Sequence, residues 1–269
     1  MPPPLAEVGR RGRFEITFGV RHGETAILDS YCEVPFKITR LQHKGLAGIP
    51  HLILMQSTAG LFGGDTVECA IHVRAGARVL VTQQSATKVH PPAPPLRGVP
   101  AVQITTIRVE SGAELRLYFD PVIPFSGARV SQRVDIELKT GARLHFWEGL
   151  MAGRIARGEV WQFDEFASET RVSIDGRLRY LDRFCLAPGD AALVSSWGMG
   201  ASRYLATGLV ARDHAELLSG PLHEALPRAG VDAPVPELLV ARVVETDGVE
   251  FHRARSVFAD LMESETEGR

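Results

Sequence analysis

Among the side chains able to do chemistry, the carboxylates are the informative ones. Asp65 is in phase with Val67, Cys69 and Ile71; Glu148 with Leu144 and Phe146; Asp182 with Leu178, Tyr180 and Phe184, while Arg177, Arg179 and Arg183 take the other parity. Alternate residues of an extended strand share a face, so unbroken strands would set all three carboxylates on the apolar side of a sheet. An inward carboxylate requires an ion pair, hydrogen bonds, a cation or water; otherwise it is neutralised. Each also has a plainer reading as a strand-end or turn residue. Asp120 provides the contrast: its parity is opposite to Leu115, Leu117 and Phe119 and it precedes Pro121, which predicts a turn.

Other chemistry is poorly supported. Gly60-Leu61-Phe62-Gly63-Gly64-Asp65 has no Lys-Ser/Thr after it and leads into a strand, so it lacks the helix N-terminus and lysine of a phosphate loop. No GxSxG nucleophile elbow occurs. Cys69 and His72 stand three apart on a strand and point to opposite faces, which prevents joint chelation without a bulge. Cys32, Cys69 and Cys185 are odd in number and widely spaced, which argues against a disulfide framework and for a reducing, cytoplasmic compartment.

The elements that must position the carboxylates are strands. Thr66 to Val73 alternates cleanly, and the phrase strand, two linking residues, Gly-Ala, strand occurs around Gly76-Ala77, Gly112-Ala113 and Gly141-Ala142, with a weaker echo at Asp175-Gly176. A recurrence near 30 residues suggests stacked strand pairs, and glycine suits turns that need positive φ. The expected fold is mainly β: a stacked-strand, β-helix-like architecture with one or two C-terminal helices. Phe251, Ala254, Phe258 and Leu261 mark one helix face, and a second helix is expected from Asp213 to about Leu226, interrupted by Gly220-Pro221. The Pro91–Pro95 run is expected to be a loop. Residues 1–13 are expected to be a disordered tail, 14–263 one β-rich domain with a helical C-terminal part, and 264–269 a frayed end.

The 269 residues carry 30 Lys+Arg and 32 Asp+Glu, a net charge of −2 that makes no case for nucleic acid. No apolar run reaches the roughly 20 residues of a membrane helix, and the start of the chain lacks a secretory h-region.

Four phrases, in order, resemble the UreD-type (UreH) urease accessory proteins. They are Gly60-Leu-Phe-Gly63-Gly64-Asp65; Thr82-Gln-Gln-Ser-Ala-Thr-Lys88-Val89; Phe119-Asp-Pro-Val-Ile-Pro-Phe125 leading to Gly127-Ala128; and Trp147-Glu148-Gly-Leu-Met-Ala-Gly-Arg154 with Gly158-Glu159. The usual His-Pro-Pro before the first glycines is Gln56-Ser57-Thr58-Ala59 here. The resemblance implies a non-enzymatic scaffold that binds a helical UreF-type partner, through it a UreG-type GTPase, and activates apo-urease by delivering nickel. It further implies a carboxylate-lined passage for transient Ni²⁺, matched here by Asp65, Glu148 and Asp182, with Gly63, Gly64, Lys88 and Arg154 as path-lining or structural residues. No nucleotide is expected on the chain itself. Two rivals stand beside this reading: a β-helix enzyme acting on acidic polysaccharide, and a β-sheet adaptor with no metal role.

Overall fold

Short alternating segments joined by glycine corners cannot bury their apolar faces singly, and here they do so by stacking. The computed structural model describes residues 11–43, 48–92, 96, 98–189, 193–196 and 198–264. In chain order the first strands are β1 (Arg11–Arg21), β2 (Glu24–Cys32), β3 (Phe36–Ile38), β4 (His51–Gln56), β5 (Leu61–Phe62), β6 (Thr66–Val73), β7 (Arg78–Gln83), β8 (Thr87–His90) and β9 (Ala101–Val109). They are followed by β10 (Glu114–Tyr118), β11 (Val122–Pro124), β12 (Arg129–Leu138), β13 (Arg143–Met151), β14 (Glu165–Ile174), β15 (Arg177–Leu186) and β16 (Tyr204–Ala211). Helix α1 (Ser219–Ala225), strands β17 (Gly230–Val235) and β18 (Leu238–Glu245), and helix α2 (Gly248–Ser264) complete the order.

From β6 to β14 the chain passes back and forth between two facing sheets. One runs β15-β14-β12-β9-β6-β1-β2; the other runs β17-β18-β16-β13-β10-β7-β4-β3, with β5, β8 and β11 attached beside it. The pairs β6–β9, β9–β12 and β12–β14 are parallel in the first sheet, and β4–β7, β7–β10 and β10–β13 in the second. Each passage from first sheet to second is therefore one rung of a β-helix-like stack, as the repeat predicts. The corners are built alike: Gly76, Gly112, Gly141 and Gly176 all have φ between 70 and 78°, where a Cβ is strained. Each corner also grips the one before it. Gly112 N donates to Gly141 O at 3.0 Å, Glu110 accepts from Ala75 N at 2.9 Å, and Asp175 accepts from Thr140 Oγ1 at 2.6 Å.

Between the sheets, Phe14, Ile71, Ile107, Leu117 and Phe146 are essentially without solvent contact. The outer face of the first sheet is solvated and carries ion pairs such as Arg108–Glu137 and Arg133–Asp135. On the outer face of the second sheet, Phe251 and Phe258 of α2 pack on Trp147, with ring centroids 6.0 and 5.4 Å away. Gly149 and Gly208 make room for them: a Cβ at either position would come within 2.6 Å of the Phe251 or Phe258 ring.

The mainly β fold with C-terminal helices agrees with expectation, and three details correct it. Arg11–Arg13, expected in the tail, open β1 through parallel pairing with β6, while residues 1–10 lie outside the described residues. Strands β17 and β18 extend the second sheet beyond residue 210. The helix expected from Asp213 begins only at Ser219, after a 3-10 turn over Ala215–Leu218, and Gly220-Pro221 does not interrupt it, because both fall in the first turn of α1, where a proline gives up no intrahelical hydrogen bond. Part of the Pro91–Pro95 run (93–95) and residues 265–269 lie outside the described residues.

Candidate functional site, a polar seam between the sheets

Away from the glycine corners, the inward positions change from apolar to polar. In the first sheet Val67, Gln103, Gln132 and Ser168 lie directly across from one another on β6, β9, β12 and β14. In the second sheet Glu148, Thr207 and Arg242 are register partners on β13, β16 and β18, and Gln83 sits beside Leu54. Facing rows of amides and hydroxyls do not close as hydrocarbon does. They leave a cavity of about 60 Å³ lined by Gln56, Gln83, Gln103, Asp120, Gln132 and Glu148, among others. A second cavity of about 20 Å³ continues past Gln132 and Glu148 to Ser168, Phe184 and Thr207. Their size allows several waters in the first and one or two in the second. Together they form a polar seam that crosses successive rungs along the stack.

Glu148 stands where the two cavities meet. It accepts hydrogen bonds from Gln132 Nε2 and, at 3.4 Å, from Thr170 Oγ1. Burial pushes its carboxyl up to about 7, against the nearby Arg242 charge and both hydrogen bonds, which favour the ionised form. Gln103 Oε1 is buried without a hydrogen-bond partner among the described residues. Cys69, the soft donor on the cavity wall, is kept protonated because burial pushes its thiol up to about 12. No group of three or more His, Cys, Asp and Glu side chains among the described residues could hold a metal ion.

The residues singled out from sequence fare differently. Glu148 is inward, as its parity requires. Asp182 also faces the opposite sheet, where it pairs with Arg242. Asp65 is corrected: β6 begins at Thr66, and the Asp65 carboxylate accepts from Phe62 N at 2.7 Å, capping its own turn. Gly63 and Gly64 belong to this turn. A Cβ on Gly63 would lie 2.4 Å from Pro92, and Gly64 has φ +95°. Lys88 is corrected as a path-lining residue, because it is exposed on β8 between the buried Thr87 and Val89. Arg154 is structural: its Nε donates to Glu159 at 2.7 Å and its guanidinium covers Phe125 at 4.3 Å. That contact joins a surface ladder in which Phe62 stacks on His90, and His90 meets Phe125 edge-on.

Sequence reasoning missed Gln83, Gln103 and Gln132, although the parity that singles out Glu148 singles them out as well. It also missed Arg242. Asp120 lies outside the strands, in the short link between β10 and β11 rather than in the expected turn, where it lines the larger cavity and holds Arg255 of α2 at 2.6 Å.

Comparison with known proteins places this architecture. The family model described as UreD urease accessory protein matches residues 10–268. The urease accessory protein UreD of Deinococcus radiodurans is 34% identical over 215 residues, covering 80% of this chain and 76% of that protein. Its namesake in Anaeromyxobacter sp. is 37% identical over 188 residues, 70% of this chain and 61% of the relative. The Ralstonia nicotianae protein is 29% identical over 257 residues, covering 91% and 86%. With its family model matched almost end to end, this chain belongs to the UreD urease accessory protein family.

Proposed function

We propose that the chain is a non-catalytic scaffold in urease maturation that passes Ni²⁺ along the polar seam to apo-urease, working with a UreF-type partner and a UreG-type GTPase. The observation that carries this reading is the seam itself: amides and hydroxyls set among apolar walls, with a buried carboxylate at the junction of its cavities. A transit route needs oxygen donors that replace part of an ion's hydration, but too few at any point to retain it. Neutral amides and hydroxyls around Glu148 meet that condition, and a protonated Cys69 does not trap the metal. A polysaccharide would need an open groove, whereas Glu148 and Asp182 face the opposing sheet.

The test is the nickel content and activity of urease matured in cells carrying Glu148→Gln. Volume is conserved and charge removed, so assembly of the accessory complex is expected to persist while nickel loading falls. Full loading with Glu148→Gln would overturn the passage and leave the adaptor role in its place.

A further inference from the structure

The seam has a built end. Strand β15 is the last strand of the first sheet, and β18 lies next to the last of the second. Three residues of one β15 face, Tyr180, Asp182 and Phe184, converge on the Arg242 guanidinium from β18. Asp182 accepts a charged hydrogen bond, the Phe184 ring lies 5.2 Å from the guanidinium carbon, and Tyr180 lies within electrostatic reach of the same arginine. Phe184 also walls the smaller cavity, and Thr207, directly beside Arg242 in the sheet, is another of its walls. Neither Arg242 nor Asp182 lines that cavity, but Asp182 is the strand neighbour of Thr170, which donates to Glu148, and the arginine acts electrostatically on Glu148, as Asp182 does with opposite sign. A permanently charged guanidinium thus holds Asp182 and acts on Glu148 where the seam meets its last strands.

We propose that Arg242 is the resident counter-ion of this end of the seam, held by Asp182 near Glu148, so that a divalent cation moves through only by displacing the guanidinium from Asp182. The inference rests on the transit reading and gives it a gate. An arginine suits the task because it balances Asp182 when no metal is present and cannot lose its charge to a change of pH. The aromatic wall gives the guanidinium a surface to rest on, so exchange with an ion is a side-chain movement rather than a change of fold.

The experiment is equilibrium dialysis of the purified full-length chain against Ni²⁺, with bound metal measured by atomic absorption. Arg242→Gln leaves Asp182 and Glu148 without their cation and is expected to bind Ni²⁺ about tenfold tighter than the wild type or more. Arg242→Gln combined with Asp182→Asn is expected to return to the wild-type level. Unchanged binding in folded Arg242→Gln, judged by circular dichroism, would overturn the gate. If that variant does not accumulate, Arg242→Lys and Asp182→Asn decide: the first is expected to match the wild type and the second to bind more weakly, and tighter binding in either would overturn the proposal. Because this readout involves no urease, it separates failure of the gate from failure of the transit reading, which Glu148→Gln tests in cells.

Discussion

Beside the glycine corners the two sheets meet through Ile71, Ile107, Leu117 and Phe146; a few residues along the same strands they meet through Gln83, Gln103, Gln132 and Glu148. Backbone and pairing are the same in both halves, and β9, β12 and β13 each contribute to both. The difference lies in what the inward side chains do with the gap. Branched and aromatic groups fill it and expel water, so the corner half supplies most of the hydrophobic stabilisation. Amides and a carboxylate keep their hydrogen-bonding capacity, and the seam half leaves room. Stability and transport can then be served by different ends of the same strands.

The largest expected effect lies in the dry half. Phe146→Ala removes a fully buried ring between the sheets and should cost about 3–5 kcal/mol, read as a shift in urea unfolding. Gln132→Ala, in the seam on the neighbouring wall, should cost less than about 2 kcal/mol. Equal losses would break the comparison, because both halves would then be ordinary packed core.

Next in size is the pH dependence of Glu148. Its carboxyl is raised from an ordinary 4.5 to about 7 in the folded chain. The folded state thus holds a proton that the unfolded chain has released. The stability this gives is complete below 4.5 and is lost as the pH rises through about 7. Glu148→Gln carries no such dependence, so between pH 5 and pH 8 the wild type should weaken relative to the variant by on the order of 1–3 kcal/mol. Urea midpoints of both proteins at the two pH values check this. Parallel pH profiles would show that Glu148 is solvated like a surface carboxylate.

A smaller effect is expected at the corners. Gly112 has φ +70° and open space where a Cβ would stand, so Gly112→Ala meets backbone strain alone and should cost about 1 kcal/mol. A loss as large as that of Phe146→Ala would mean that the stack depends on each corner rather than on the core between them.

How far the sequence reveals all this follows from what alternation encodes. Parity identifies the face of a strand, and the Gly-Ala recurrence identifies the corner, so the stack and the inward position of Glu148 and Asp182 were legible. Parity does not say where a strand starts. Asp65 has the right phase for an inward residue, but β6 begins one residue later and the carboxylate turns back to Phe62 N. The glutamines carried the same signal as Glu148 and were passed over because a neutral amide makes no obvious demand on its surroundings. Arg242 was out of reach for another reason: it meets Asp182 across 60 residues of chain, from a strand that lies between the two expected C-terminal helices. A contact between sheets has no local pattern to announce it.

The finest discrimination comes from Gln103. Its Oε1 makes no hydrogen bond to another described residue and has at most a water in the cavity it lines as partner, whereas an acceptor with none would cost roughly 1–3 kcal/mol. Gln103→Leu removes the acceptor at nearly constant volume, so the variant should be as stable as the wild type or more stable by up to about 1 kcal/mol. A polar residue that lowers stability where leucine would fit is understandable if the seam needs an oxygen there for something that passes. The same variant should therefore lower nickel loading of urease in cells while its melting temperature holds or rises. Opposite movement of stability and loading is the result that ties the wet half to transport. A marked destabilisation would mean instead that the Gln103 amide is structural, and the contrast between the two halves would then narrow to Glu148 and its two hydrogen-bond donors.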